Sequence, residues 1–446
     1  MPDRAVVIGG GFAGLRAGVA LADAGIRVTV LEAKNSLGGR ARSFIDPATA
    51  EVVDNGQHLF LAGYQRTLAF LDRLGTREHL AFQERLRVLF VEPGGERSLL
   101  DCPPLPAPWH LLGGLMRLST LSLGDKWGFR RIAEAAERGG DGLDGESVEA
   151  WLTRMGQSPR SRRAFWDPLA IATLNEDPRQ AAASGLISVL KVMLSGSSRD
   201  SRLGISSVGL SDLYTVAAGR IIQEKGGDIL LSSPAAGLEI EGGRVTGVRL
   251  ANGSVLPAEA VVSALPPSVL SRIVPPGLKG ADPALRNLDR FGSSPIISVN
   301  LWLDRPVMED PFVGLIGTRF QWLFNKGAIL SRAGGGGRAN YLSLIMSAAH
   351  RFIDQPNEAL AAIAWEDLAG CFPEAKGAKL LRSQVVRERE ATVSLTVESQ
   401  RCRPGPRTGV GNLFLAGDWT ATGLPATIES AVVSGELCAR ALLAIF

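Results

Sequence analysis

Two sets of residues in this 446-residue chain have the types and spacing for chemistry. One is "VVDNGQHLFL" at 52–61, where Asp54, Asn55, Gln57 and His58 stand between two apolar runs. Asp-Asn-Gly suits a turn, but a turn has no need of Gln and His directly before Leu59, Phe60 and Leu61. A carboxylate, an amide and an imidazole this close together suit proton transfer. Asp54 and His58 are the candidates to move that proton, with Gln57 holding the geometry. The plainer reading is that Asn55, Gly56 and Gln57 only shape a loop.

The other set is made of glycines. "VVIGGGFAG" places Gly9, Gly11 and Gly14 in GxGxxG register between a strand and a helix that starts at Phe12 and Ala13. The first glycine permits the tight turn, and the second lets backbone N–H groups approach a pyrophosphate. The third lets the helix pack on the strand, and the helix N-terminus adds positive potential. Glu32, followed by Ala33, ends the next strand eighteen residues after Gly14. A carboxylate there accepts ribose hydroxyls and disfavours a 2′-phosphate. This constellation binds a dinucleotide but does not separate NAD from FAD.

Two further stretches separate them. In "LGGRARSF" (37–44), Gly38 and Gly39 admit a close backbone approach and Arg40 can reach a phosphate or a flavin. In the C-terminal "NLFLAGDWTATGLPATIESAVVSG" a strand runs into Gly417 and Asp418, then a turn, then a helix entered at Thr427 and Ile428. An acid after a strand suits ribityl hydroxyls. A helix N-terminus facing a flavin's pyrimidine edge stabilises negative charge there.

The elements that must hold these residues form an α/β pattern. The chain's length predicts two domains. Strand-helix-strand texture appears at both ends and in the middle, interrupted by two other kinds of segment. We read 1–85, 205–285 and 400–446 as one discontinuous nucleotide-binding domain, and 86–204 with 286–399 as an inserted α+β substrate domain. Helical spacing falls at 147–155, 161–174 and 182–194, whereas 196–207 reads as loop. Glycine turns at 242–243 and 252–253 mark hairpins. In "RFQWLFNK", strict alternation puts Phe320, Trp322 and Phe324 on one face, and "GGGG" at 334–337 reads as a hairpin. Asn175 is a possible lining residue, Tyr64 a further proton donor, and Trp166 a core residue of the insert.

Composition excludes several functions. A formal charge of +3 is too small for a nucleic-acid face. Four scattered cysteines and four histidines offer neither a disulfide framework nor metal-ligand spacing, and they place the chain in a reducing cytoplasm. No signal peptide precedes the first strand-like run. The segment 105–123, "LPAPWHLLGGLMRLSTLSL", carries Pro, a Gly pair and Arg117, which disfavours a membrane span. It is either a buried or channel-lining helix, or a peripheral contact with the inner face of the plasma membrane.

Across its whole length the chain resembles the hydroxysqualene dehydroxylases of bacterial hopanoid pathways, within the flavin amine oxidase and phytoene desaturase superfamily. The matching stretches are "VVIGGGFAGLRAG", "LEAKNSLGGRARSF", "VDNGQHLFLAGY", "FWDPLAIATLN", "VVSALPP" and "LFLAGDWTATGLPATIESAVVSG". "DNGQH" and "WDPLAIATLN" are the more specific marks. The resemblance implies a Rossmann-like FAD-binding domain of amine oxidase type, and reductive removal of a hydroxyl from hydroxysqualene to give squalene. It extends the flavin contacts to Asn55, Gly56, Gln57 and His58. Ala235, in "SSPAAGL", falls where relatives often have a valine contacting adenine. The chain has no second dinucleotide fingerprint, so an external electron donor must reduce the FAD. Three alternatives are a polyene desaturase running hydride transfer in the other direction, an amine oxidase, and a flavin-free isoprenoid carrier. The C-terminal turn, with Trp419 alone, lacks the aromatic pair of an amine oxidase, and intact pyrophosphate glycines oppose the carrier.

Overall fold

The computed structural model describes residues 2–137, 143, 145–194, 197–331 and 340–445. The "GGGG" run lies outside them. One sheet is five-stranded and wholly parallel, in the order Asp228–Leu230, Arg27–Leu31, Arg4–Ile8, Ala260–Ser263, Leu413–Leu415. Its strands therefore come from the beginning, middle and end of the chain. Strands buried on both faces read as unbroken Val/Ile/Leu runs, as in Arg4–Ile8 and Arg27–Leu31. Helices Phe12–Asp23, Leu210–Glu224 and Ile428–Leu443 share one apolar cluster with the sheet. Consecutive strands go to opposite sides of Arg4–Ile8, which places a ligand crevice at their carboxyl ends.

A second sheet is seven-stranded and mixed, and its long members are Ser293–Leu303, Tyr341–Met346 and Leu380–Val393. Helix Asn357–Cys371 covers one face. The described helices between Trp109 and Leu194 join a separate cluster with Phe312, Phe324 and Ile345.

The structure departs from the alternation pattern at Phe320. Its N–H donates to the Asp367 carboxylate at 3.0 Å and not to a neighbouring strand, and the strand begins only at Trp322. Phe320 packs with helix Asn357–Cys371, whereas Trp322 and Phe324 face Phe312 on the opposite side. Residues Leu203–Ser206, inside the expected loop, are a strand paired with both Leu59–Leu61 and Leu80–Phe82. That strand crosses the division placed between 204 and 205. Asn175 is buried and wholly engaged, donating to Ser294 O and Thr392 Oγ1 and accepting from Ala348 N–H. It is a clamp between elements, buried among backbone and Thr392 partners. Trp166 packs in the insert's core, stacked on Phe129.

Candidate active site

The glycine motifs lie against one another. A Cβ on Gly14 would stand 1.9 Å from Gly9 O, so the helix rests directly on the turn, and Gly9 itself has φ +107°. A Cβ on Gly39 would meet Gly11 Cα at 3.3 Å, and Gly39 is left-handed at φ +56°. Tyr214 fixes the second motif by donating its hydroxyl to Gly38 O and Ala41 O, while its ring stacks on Phe12. Phe12 and Ala13 are buried, so their side chains face the core and only their N–H groups, unpaired in a first helical turn, are left for a ligand. The Glu32 carboxylate accepts Gly10 N–H at 2.9 Å and Lys34 N–H at 2.9 Å, which aims it at the mouth of the turn. Ala33 is exposed beside it. Ser233 N–H bonds Glu32 O, and this leads the chain to Ala235 at the head of its strand.

Arg40 joins this cradle to the C-terminal turn. Its guanidinium lies 2.7 Å from Asp418 Oδ1. Gly417, at φ +140°, has no room for a Cβ because the Trp419 ring would be 2.6 Å away. Trp419 is itself buried in the core and donates to Leu265 O, so the turn presents no aromatic ring. Thr427 caps helix Ile428–Leu443 by accepting Ser430 N–H, and Ser430 Oγ donates to Asp418 O. Glu429 acts on another helix than its own. It is buried and accepts Arg66 N–H, Thr67 N–H and Thr67 Oγ1, capping helix Gln65–Leu74. Arg403, which nothing in the local sequence singles out, donates to Leu424 O, Asp418 O and Trp419 O. Burial pushes its guanidinium down to about 10.

"DNGQH" is a polar shelf beside these ribbons. Asn55 donates to Arg40 O at 2.8 Å and accepts Arg42 N–H at 3.0 Å. Asp54 is buried, and its Oδ2 lies 2.8 Å from Nζ of Lys326, which is itself 1% exposed. Gln57 completes the triangle, donating to Asp54 Oδ2 at 3.0 Å and accepting from Lys326 Nζ at 3.1 Å. Asp54 Oδ1 accepts the Ser43 hydroxyl and Leu210 N–H. Burial alone would raise the Asp54 carboxyl. The Lys326 ammonium and these donors outweigh it and hold the group below the usual carboxylate range.

This corrects the expectation that Asp54 could protonate a leaving group. It is an anion with both oxygens taken and has no proton to give. His58 differs. It is half-buried, and its Nδ1 lies 3.1 Å from Gly56 O. A carbonyl only accepts, so Nδ1 carries the proton in the neutral ring, and Nε2 has no hydrogen-bond partner among the described residues. Burial lowers its pKa, opposed by the Gly56 carbonyl and the Asp54 charge. Tyr64 has its hydroxyl held above its ordinary pKa by burial, next to Glu429 and bonded to Thr427. Lys326 escaped the sequence reading, although a lysine between the apolar runs "WLFN" and "GAIL" was a signal for a buried partner.

Residues 12–443 match the flavin containing amine oxidoreductases. The chain belongs to that family and is an FAD-dependent oxidoreductase. At finer grain it is similar to the hydroxysqualene dehydroxylase of Sinorhizobium fredii, 31% identical over 442 residues that cover 98% of each chain. The hydroxysqualene dehydroxylase of Rhodopseudomonas palustris is 32% identical, again with 98% of each chain covered. Among solved structures, an oxidoreductase from Methanosarcina mazei has a TM-score of 0.75 at 18% identity, covering 97% of this chain and 99% of its own, a likeness of fold. The residues fit FAD. Bare backbone meets bare backbone where Gly11 faces Gly39, and the Glu32 and Asp418 carboxylates lie at separate ends of one cradle.

Proposed function

We propose that the chain removes the hydroxyl of hydroxysqualene reductively, giving squalene and water, as a step in hopanoid or squalene biosynthesis. The observation that carries this reading is the identity to hydroxysqualene dehydroxylases over 98% of both chains. The shelf supports it, because one imidazole stands at the border between a polar triangle and an apolar cluster. Leu59, Leu61, Tyr64, Phe312, Trp322 and Phe324 all belong to that cluster.

Hydroxide leaves poorly from carbon, so a proton must reach the departing oxygen. We assign that proton to His58 Nε2 and positioning roles to Asp54, Gln57 and Lys326. Gly56 O fixes the ring's orientation through Nδ1, and the Asp54 anion favours the imidazolium that must form. Reduced FAD, held by the cradle residues, would supply the hydride for the allylic carbon that carries the hydroxyl. The apolar cluster keeps water away from that carbon, which would otherwise be recaptured. The cradle contacts proposed for FAD are Gly9, Gly11, Gly14, Glu32, Gly38, Gly39, Arg40, Ala235, Gly417, Asp418 and the helix start at Thr427–Ile428, with Asn55 to His58 alongside. Pieces 1–85, 205–285 and 400–446 would hold FAD, and 86–204 with 286–399 the C30 chain. An external donor would reduce the FAD, and the protein would work in the cytoplasm, resting on the inner face of the plasma membrane.

The test is anaerobic incubation of the purified protein with chemically reduced flavin and hydroxysqualene. Squalene appearing in proportion to flavin reoxidised supports the reading. No squalene, or an additional double bond in a polyene offered to oxidised protein, would point to the desaturase direction instead. Protein that purifies without flavin and takes none up would point to the carrier.

A further inference from the structure

We propose that helices Trp109–Arg117 and Leu123–Glu137 form a docking surface for an anionic lipid bilayer, deepening the proposed function, since the C30 substrate dissolves there. Among the described residues the two most exposed tryptophans both lie on this surface, Trp109 at 62% and Trp127 at 74%. On the first helix Trp109, Leu112 and Met116 follow the spacing of a single face, while Leu111, Leu115 and Leu118 are buried behind them. Leu105 approaches that face, 3.9 Å from where a Gly113 Cβ would stand. Lys126 Nζ donates to Met116 O at 2.8 Å, which ties the start of the second helix, with exposed Leu123 and Trp127, to the end of the first. Isolated exposed apolar residues need no explanation, but a contiguous group with two tryptophans does.

Charge complementarity selects the occupant. Between Cys102 and Ala133 the cations are Arg117, Lys126, Arg130 and Arg131, and the one carboxylate is Asp125. Asp125 is buried, accepting from Ser122 and Ser158, so it contributes little to the surface field. Arg160 adds a cation beside the connecting loop through its bond to Thr120 O. Arg117 leans on Asp101 and Arg130 on Glu134, so part of that charge is compensated, while Lys126, Arg131 and Arg160 add to the basic side of the balance. Tryptophans and leucines rimmed by Lys and Arg suit the headgroup level of an anionic leaflet. No described helix is long and apolar enough to cross a membrane, so the pair would lie on it. The buried side of the first helix joins the same cluster as Phe312 and Phe324, against which Leu59, next in sequence to His58, also packs.

The experiment is flotation of the flavin-loaded protein with vesicles of phosphatidylcholine, with and without about one-third phosphatidylglycerol, alongside Trp109→Glu/Trp127→Glu. Retained flavin absorbance and an unchanged melting curve show that the variant is folded. We expect the wild type to float with anionic vesicles, more weakly at high salt, and the variant to partition about tenfold less. A wild type that stays unbound overturns the proposal, as does equal flotation of the variant. A dimer that the double substitution converts to monomer, with no change in flotation, assigns the surface to a second copy and overturns it as well. Squalene formation from detergent-dispersed substrate is scored separately. Activity without flotation sinks only the surface, and flotation without activity sinks only the reaction.

Discussion

Lys326 Nζ stands 2.8 Å from Asp54 Oδ2, and the pair links the strand-to-helix junction of the large sheet to the end of the short strand Val52–Asp54 beside the glycine cradle. Both side chains are nearly inaccessible, so neither charge has water to fall back on. Breaking such a pair leaves one buried charge uncompensated, at about 3–5 kcal/mol, whereas removing both charges is often close to neutral. Lys326→Met should therefore lower the unfolding free energy by about that amount. Asp54→Asn/Lys326→Met should recover most of it. A double-mutant cycle from denaturant melts measures both. If the single and double variants are equally destabilised, the pair is not the organising contact of the shelf.

The pH dependence of activity and stability should follow His58 and Asp54 in different windows. The His58 imidazole is depressed by burial, so it is neutral at pH 7 and gains its proton only below the ordinary value of about 6.5. With His58 as the acid, kcat/KM should rise as pH falls through that region, and His58→Gln should lose both the rise and at least about a hundredfold of rate. Stability moves the other way. A histidine with a lowered folded-state pKa binds its proton more readily when unfolded, so its contribution is lost as pH falls below about 6.5. The Asp54 carboxylate is held low by Lys326 and its other donors. Its contribution is present above about 4 and disappears only as pH drops further, through the folded-state value. Stopped-flow rates and melting curves on the same buffers would separate the windows.

The contact between Arg40 and Asp418 at 2.7 Å spans 378 residues and closes the cradle between the second glycine motif and the C-terminal turn. Asp418→Asn keeps the shape but loses the charge. A charge-assisted hydrogen bond is worth about 1.5–3 kcal/mol, so FAD should bind about 10- to 100-fold more weakly. Titration of apoprotein with FAD, followed by flavin fluorescence quenching, gives the number. An unchanged Kd would place Asp418 outside the cofactor site.

What was legible in the sequence was what the chain encodes locally. Gly9, Gly11 and Gly14 announce themselves because one turn needs all three within six residues, and Glu32 because a strand fixes its distance from them. The helix start at Thr427 was readable from its capping chemistry. The partners that decide what the shelf can do were not readable, since Lys326 lies 272 residues from Asp54 and Arg403 acts on carbonyls 15 to 21 residues away. Alternation failed at Phe320 because an acid on a distant helix, Asp367, takes that backbone N–H out of the strand pairing. The strand Leu203–Ser206 was hidden because its Ser- and Arg-rich surroundings resemble a loop. Its stability comes from pairing on both sides, which composition does not record.

Two glycine substitutions should separate fold from cofactor. At Gly14 a Cβ would lie 1.9 Å from Gly9 O, an overlap that backbone must move to relieve, so Gly14→Ala should destabilise the protein with or without flavin. Overpacking of this kind typically costs about 1–3 kcal/mol. At Gly56 a Cβ meets nothing within 4 Å. Gly56→Ala should leave the flavin-free protein as stable as wild type, or slightly more so, because alanine restricts the unfolded chain. If the open space at Gly56 is where the flavin ring lies, that same methyl must weaken FAD binding and slow turnover. Melting curves of apoprotein and holoprotein for both variants decide the matter. A Gly56→Ala protein with normal FAD affinity and normal rate would move the ring away from the shelf, and with it the proton assigned to His58.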